Sequence, residues 1–324
     1  MLKSQKKPQI CLIIVNWNNY EDTIACLESV IVSSNKNKIV VTDNGSHDSS
    51  VKKISQWASE RKIKYQIVSC YHETDISIGS DDVILTLISL KENRGFAAAN
   101  NEGIRFAVRQ NADFVLLLNN DTVIKKDLFL KLSKTIHDVK NAGIIGCKIR
   151  HFKAADRIWF SGGHIDFIRG TFYHREDDCI DERDTDFVTG CLMLIPTNIF
   201  KTVGYFDERY FLNVEDIDFS YRVKSAGYRL VINCNAEIYH KVSSTIGGLH
   251  SSRNQYYFHR NRLIYFNKQL TGFWKILFNL FQVLFAIPTW IVIQLVRGNT
   301  QSIKGALFGY LDYLKGNFGK SRYF

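Results

Sequence analysis

The chemistry-bearing residues of this 324-residue sequence sit where apolar runs stop abruptly at polar tips. Phe114-Val-Leu-Leu-Leu118 gives way to Asn119-Asn120-Asp121-Thr122, side chains able to bind a metal, a phosphate or a ribose. An apolar run without alternation suits a strand buried on both faces of a parallel sheet. Open α/β sheets bind ligands beyond the carboxyl ends of such strands. Asp121 is therefore expected at a rim, where a hard divalent cation can bridge its carboxylate to a nucleotide diphosphate. The same residues also suit a cap for a helix starting near Lys126. A second acidic group, Glu215-Asp216-Ile217-Asp218, opens a helix running to about Ala226 and stopped by Gly227. Acids in a first turn favour the macrodipole, yet three of them beside aromatic residues are more than a cap requires.

The elements that must position these tips follow a regular rhythm. Residues 10–15 read as a buried strand ending in Asn16-Trp17-Asn18-Asn19, followed by a helix over 20–32. Residues 39–42 form the next strand, ending in Asp43-Asn44-Gly45-Ser46, with a helix after Asp48 that Asp48, Ser49 and Ser50 can cap. Two strand–tip–helix units define a βαβ beginning and a parallel sheet. Neither strand is followed by a G-x-G-x-x-G or a P-loop, so neither a dinucleotide fold nor a Walker phosphate site is signalled. A strand over 64–69, a polar loop over 71–82 and a strand over 84–90 lead to Glu92-Asn93-Arg94-Gly95-Phe96-Ala97-Ala98-Ala99-Asn100-Asn101. There Gly95 makes a tight turn, the alanines let the next helix approach the sheet, and the asparagines are expected to face the rim. That helix runs to Arg109.

After the Asp121 tip, Leu128, Leu132, Ile136 and Val139 mark an amphipathic helix, and 144–149 a strand. Residues 151–186 lose the pattern and read as a β-rich insertion over the active face, a plausible acceptor or gating element. Residues 187–196 form a strand, and two further strands, 229–232 and 237–239, lead to His240, a residue also explicable as a histidine merely ending a strand.

Composition narrows the class. Hydrophobic residues at 45% and charged residues at 23% are ordinary for a globular protein. The cysteines (11, 26, 70, 147, 179, 191 and 234) are scattered, odd in number and without a C-x-x-C pair. That argues against a zinc site or a disulfide framework and fits a reducing cytosol. The N-terminus is basic, and its apolar run is too short for a signal peptide. Residues 1–240 balance 31 Lys/Arg against 31 Asp/Glu, so the whole formal charge of +10 lies in 241–324, where Asp312 is the one acid. Such a tail suits nucleic acid or an anionic membrane surface.

The ordered set Val15-Asn-Trp-Asn, Asp43-Asn-Gly-Ser, Asn93-Arg-Gly-Phe-Ala, Leu117-Leu-Asn-Asn-Asp121, Gly190-Cys-Leu-Met and Phe206-Asp-Glu…Glu215-Asp216-Ile-Asp resembles the family 2 inverting glycosyltransferases. Within that family it is most similar to the rhamnosyltransferase-like branch that builds bacterial surface polysaccharide. The resemblance covers residues 9–268. It implies a GT-A fold, a Rossmann-like, mostly parallel α/β sheet flanked by helices. It also implies site roles. Asp43 would bind the nucleotide base with Asn16 and Trp17 beside it, and Arg94 and Asn100 would lie near the ribose and diphosphate. Asn44, Asn93, Gly95, Asn119 and Asn120 belong to the same nucleotide-sugar set. Asp121 matches the last Asp of the family's D-x-D and would ligate Mg²⁺ or Mn²⁺. Asn119 stands where the first Asp usually is, which leaves more of the coordination to the diphosphate. Asp216 matches the catalytic base, with Glu215 the alternative, and His240 matches a metal or diphosphate ligand. Inverting transfer needs one carboxylate to take the acceptor's proton and a stabilised leaving diphosphate, with no covalent nucleophile. Asp218 reads as structural or acceptor-positioning.

Ser252-Arg-Asn-Gln-Tyr256-Tyr-Phe-His259-Arg260-Asn261-Arg262 mixes aromatic and basic residues without any RNA-module signature. In the resembling family a Tyr–Arg–Asn helix closes the site near the diphosphate, which would place Arg260 there. Residues 276–296 carry no charge and are long enough to span a bilayer. Asn279, Gln282, Pro288 and Gln294 within them suit an interfacial or hairpin arrangement equally. Trp274 and Trp290 fit the headgroup level, and 303–318 reads as an interfacial amphipathic helix.

Taken together, residues 1–268 are expected to form a glycosyltransferase domain and 269–324 a membrane-associated helical tail. The expected reaction moves a sugar, rhamnose first, from a nucleotide diphosphate donor such as dTDP-rhamnose or a UDP-sugar. The acceptor would be a glycan or lipid-linked glycan at the cytoplasmic face of the bacterial inner membrane, with no nucleic-acid partner. A UDP-hexose enzyme of the same fold is the nearer rival. A nucleotidyltransferase would need a Gly-rich basic loop after the first strand, and a non-catalytic sugar-nucleotide sensor would keep Asp43 and Asp121 without needing Asp216.

Overall fold

The computed structural model describes residues 8–33, 37–69, 82–242, 248 and 250–324. Its first half alternates strand and helix: β1 (Ile10–Asn16), α1 (Tyr20–Ser33), β2 (Lys38–Asp43), α2 (Ser50–Glu60), β3 (Tyr65–Ser69), β4 (Leu85–Ser89), α3 (Gly95–Arg109) and β5 (Phe114–Asn119). Continuous apolar runs make β1, β2 and β5 strands buried on both faces, because parallel strands are covered by their own crossover helices. Most of the polar loop expected over 71–82 lies outside the described residues.

The second half is more irregular. It comprises β6 (Thr122–Ile124), α4 (Leu128–Asp138), β7 (Ala142–His151), β8 (Ile158–Phe160), β9 (Gly163–Asp166), β10 (Thr171–His174), β11 (Glu182–Asp184) and β12 (Leu192–Pro196). Then come α5 (Ile199–Val203), a 3₁₀ turn at Glu208–Tyr210, α6 (Glu215–Ser225), β13 (Arg229–His240) and α7 (Ser252–Gln269). A continuous apolar helix follows, made of α8 (Gly272–Phe281), a π turn (Gln282–Ala286) and α9 (Ile287–Val296), before α10 (Thr300–Leu314).

One sheet carries the order β11-β13-β7-β12-β5-β1-β2-β4-β3. The run β5-β1-β2-β4-β3 is parallel throughout, and antiparallel β12 joins it to β7. β13 pairs with β7 in parallel. The sheet is thus mostly parallel, as expected from the sequence.

Several sequence expectations are corrected. Asn119-Asn120-Asp121 does not cap the next helix: α4 begins at Leu128 with Asp127 at its N-cap, and β6 intervenes. The two strands expected over 229–239 are one strand, β13, with a register shift between Asn233 and Glu237. The Asn233 side chain spans that irregularity by accepting the Asn235 and Ala236 N–H groups, both at 2.9 Å. The strand expected from residue 187 starts only at Leu192, because residues 189–192 form a turn closed by the Leu192 N–H on the Thr189 carbonyl at 3.3 Å. Cys179 and Cys234, 55 residues apart, form a disulfide with Cα atoms 5.5 Å apart, against the expectation from their spacing. Pairing of β11 with β13 brings them together, a proximity that no local sequence pattern announces.

The expected insertion is β-rich: β9 and β10 form a two-stranded sheet, while in the main sheet β8 pairs with β7 and β11 with β13 at its edge. The segment after residue 268 is helical, and its last helix folds back. α10 packs against α7 through Gly305 and Gly309, where a Cβ would lie 2.1 Å from the Ser252 carbonyl oxygen and 2.5 Å from that of Tyr256. Gly305→Val should therefore separate these helices and cost at least about 1–3 kcal/mol, as overpacking does. The expected readout is a lowered thermal midpoint, with the exposed Leu307→Ser as a control that leaves it within about 0.5 kcal/mol. An unchanged midpoint for both would contradict the close packing.

Candidate active site

The tip of β5 meets the end of β13. Thr122 lies opposite His240 in the antiparallel pairing of β6 with β13, and the Lys241 N–H donates to the Asp121 carbonyl at 2.9 Å. This brings His240 Nε2 to 3.1 Å from Asp121 Oδ1, with both side chains buried. The buried His240 Nδ1 and Asn119 Oδ1 have no hydrogen-bond partner among the described residues. A carboxylate, an imidazole and an amide oxygen so disposed fit a hard divalent cation. No group of three His, Cys, Asp or Glu side chains gathers among the described residues, so a cation here would draw further ligands from a bound diphosphate.

Glu215 and Asp216 start α6 and line the same cavity as Asp121 and His240. The backbone before them is strained: Phe211, Asn213 and Val214 have φ of 62°, 67° and 75°. A left-handed conformation in such residues costs on the order of 1–3 kcal/mol each and persists only when surroundings over-determine it. Asn261 supplies that determination, its Nδ2 donating to the carbonyls of Tyr210, Leu212 and Asn213 at 2.7, 2.7 and 2.9 Å. Arg260, fully buried, donates beside it to Tyr210 O at 3.2 Å and to Gly319 O at 2.8 Å.

The two carboxylates differ in environment. Asp216 Oδ2 accepts the Gly190 N–H and Oδ1 the Ile217 N–H, both at 2.8 Å. Burial raises its pKa above the ordinary carboxylate value, and these N–H groups oppose the rise by favouring the charged form. Glu215 is more enclosed, and its Oε2 has no hydrogen-bond partner among the described residues. Burial, and next the charge of Asp216, push its pKa well up. Of the two, Glu215 is held the more strongly toward its neutral form. Asp218 turns away into the core, accepting from Tyr210 Oη, Arg222 Nε and Lys268 Nζ at 3.1, 2.9 and 2.7 Å. This is a structural network.

The residues expected to hold the nucleotide divide. Trp17, Asn44, Asn93, Gly95, Asn119 and Asn120 line one cavity of about 590 Å³ with Asp121, Glu215, Asp216 and His240. Gly95 has φ of 90°, and a Cβ there would lie 2.5 Å from the Phe211 carbonyl oxygen, so the expected tight turn also fits the strained loop closely. Asn16, Asp43, Arg94, Asn100 and Arg260 are not on the cavity wall. Asn16 donates to Asp43 Oδ1 at 2.7 Å, and Asp43 is further engaged by Ser46, so these two shape the β2 tip from beneath. Arg94 pairs with Glu102 at 2.9 Å and Glu208 at 3.4 Å. The expectation that the asparagines of α3 face the rim is corrected: Asn100 donates to Phe96 O, and Asn101 exchanges hydrogen bonds with the Phe206 backbone.

Other wall residues escaped the sequence reading. Trp159 sets its ring edge-on to His240, centroids 4.6 Å apart, and His174 lies 4.8 Å beyond it. Both come from the insertion, so its strands form one side of the cavity. Arg253 lies over the Trp17 ring at 5.4 Å and, with Tyr257, brings α7 to the opposite side. Strand-end histidines and lone aromatics carry no spacing signal, so only the chain's folding reveals them.

Comparison with known proteins gives these features a family. The model of glycosyl transferase family 2 matches residues 11–204, and that of glycosyl transferase family group 2 matches 114–310. The low-salt glycan biosynthesis hexosyltransferase Agl10 of Haloferax volcanii is 26% identical over 96% of this chain and 92% of its own. The dTDP-rhamnosyl transferase RfbF of Shigella flexneri is 25% identical over 73% of this chain and 81% of its own. Among solved structures, the mannosyltransferase PcManGT from Pyrobaculum calidifontis, in complex with GDP-Man and Mn²⁺, superposes with a TM-score of 0.56 at 13% identity. It covers 96% of this chain and 88% of that one. GalNAc-T7 with UDP, GalNAc and Mn²⁺ gives 0.59 at 14% identity over 84% of this chain, which spans about half of it (49%). With the family 2 model alone covering residues 11–204, more than half of the sequence, and the solved neighbours sharing the GT-A fold, the chain belongs to glycosyl transferase family 2 and is a glycosyltransferase.

Proposed function

We propose that this glycosyltransferase moves a sugar, with inversion, from a nucleotide diphosphate donor to a glycan or lipid-linked glycan in cell-surface polysaccharide synthesis. The observation that carries the reading is that Asp216 and the Asp121–His240 pair face a single cavity. Rhamnose from dTDP-rhamnose is the first donor, a choice supported by the relative named above. The basic, apolar C-terminal helices support work at the cytoplasmic face of a membrane.

In this reading Asp216 accepts the proton of the acceptor hydroxyl as its oxygen attacks the anomeric carbon. The bond from that carbon to the phosphate oxygen breaks, and its electron pair leaves on the diphosphate. The Gly190 N–H fixes the Asp216 carboxylate in one orientation, and Glu215, keeping its proton, does not compete as base. Asp121 and His240 would hold a Mg²⁺ or Mn²⁺ ion, which when bound offsets the charge gathering on the diphosphate. Trp17 offers its face to the base, with Arg253 stacked on it.

Asp216→Asn should lower kcat by about 10²–10⁴-fold, the range of a lost general base, while nucleotide binding persists. Glu215→Gln, which mimics the protonated acid, should stay within about tenfold of the parent enzyme by the same reasoning. Equal losses in both would remove the assignment. Because burial raises the Asp216 pKa, kcat/KM should fall as pH is lowered, with a midpoint above that of an ordinary carboxylate. A rate independent of pH down to about 4 would contradict a single carboxylate base.

His240→Ala or Asp121→Ala should weaken nucleotide diphosphate binding when Mn²⁺ is present and change it little with a chelator, as titration calorimetry would read. Donor turnover across dTDP-rhamnose and several UDP- and GDP-sugars names the donor. Release from a UDP-hexose alone would keep the class and replace rhamnose. Binding without turnover, even with lipid-linked acceptor added, would instead favour a sugar-nucleotide sensor.

A further inference from the structure

Among the described residues, Gly272–Val296 is the one helix long and apolar enough to cross a bilayer, with a mean hydropathy of 2.1 over its most apolar window. Its three amide side chains turn toward the protein, while Lys275 and Thr289 stay exposed. Asn279 exchanges hydrogen bonds with Asn267 at 2.7 and 3.2 Å. Gln282 accepts from Arg262 at 2.7 Å, and Gln294 accepts from Asn299 at 2.9 Å. Phe278 packs on Phe266 with centroids 5.3 Å apart, and Trp290 on His259 at 4.3 Å. The outward face is left apolar, with Phe273, Leu280, Leu284, Phe285, Val292 and Val296 all exposed.

These attachments run from Phe278 to Gln294, a helical length of about 24 Å at 1.5 Å per residue. That approaches the ~30 Å of a bilayer's hydrocarbon core. A crossing helix would drag the whole length of its contact face into hydrocarbon, including buried Arg262 and His259 on α7 and the sheet domain behind them. An axis lying along the membrane surface avoids that cost. Charge complementarity identifies the occupant of its outward face. Exposed Lys275, Arg297, Lys304 and Lys315 surround these helices. Asp312, the only acid of 241–324, is buried and engaged by Tyr256, Asn317 and Arg322. α10 adds exposed Leu307, Leu311 and Leu314.

We propose that Gly272–Val296 lies in the plane of one leaflet of an anionic bilayer, with its outward face in the acyl boundary and the basic residues on the lipid headgroups. The surface commits the enzyme to a monotopic attachment. α7 carries the attachment on one side and presents Arg253, Tyr257 and Phe258 to the cavity on the other, so an acceptor with a lipid tail would reach the cavity along this helix. The inference deepens the membrane clause of the proposed function, and its test involves no turnover, so either can fail alone.

The test is a depth measurement on the full chain in a Cys70→Ser background. A fluorophore is placed at Leu277→Cys, Leu284→Cys or Leu295→Cys, and quenchers are carried at two depths in vesicles of phosphatidylglycerol and phosphatidylcholine. In-plane docking puts all three labels at one shallow depth, about 5–10 Å into the headgroup and acyl boundary. Binding should fall at least tenfold on pure phosphatidylcholine. Leu284→Glu, at an exposed position, should release the protein from vesicles while its thermal midpoint is unchanged. A middle label deeper than both end labels, with the ends at opposite surfaces, would establish a crossing helix and overturn the proposal. So would unquenched labels on a protein that associates with itself through this face.

Discussion

The strained loop before α6 is the constraint on which the site depends. Phe211, Asn213 and Val214 hold left-handed backbone conformations that a free chain would leave at once. Three hydrogen bonds from the single Asn261 amide, with Arg260 beside it, keep the loop in place. The loop sets where α6 begins, and so where the Glu215 and Asp216 carboxylates point. Gly95 completes the fit because no side chain could stand against the Phe211 carbonyl. Two segments distant in sequence, α3 and α7, thus converge on one turn.

α7 joins the site to the rest of the C-terminal region. One stretch of it, Arg253 to Phe258, walls the cavity, Arg260 and Asn261 hold the strained loop, and His259 and Arg262 meet the apolar helix. α10 then closes over α7 at two glycines.

The short pairing of β6 with β13 assembles the proposed cation site from residues far apart in the chain. The presence of only one carboxylate, with Asn119 in place of a second, leaves the site less negative than a full D-x-D. A diphosphate brings its own charge, so a weaker protein site makes cation and nucleotide binding mutually dependent. The Trp159 ring against His240 comes from the insertion, which links the insertion's fold to the geometry of that ligand.

Much of the fold was legible in the sequence because its signals are local. Unbroken apolar runs at residues 10–15, 39–42 and 114–118 dictate doubly covered strands. The polar tips that end them dictate a rim, and the uneven charge shows where an anionic partner would meet the chain. The tertiary structure decided what depends on contacts between distant segments. It converted Asn119–Asp121 from a possible cap into a tip paired with β13, and it joined Cys179 to Cys234. It took Asp43, Arg94, Asn100 and Arg260 off the cavity wall and brought Trp159, His174 and Arg253 to it. It also separated Asp216 from Glu215, neighbours of like chemistry in the sequence. One carboxylate accepts the Gly190 and Ile217 N–H groups while the other is more enclosed, with one oxygen unpartnered among the described residues, so burial and hydrogen bonding rather than residue type set them apart.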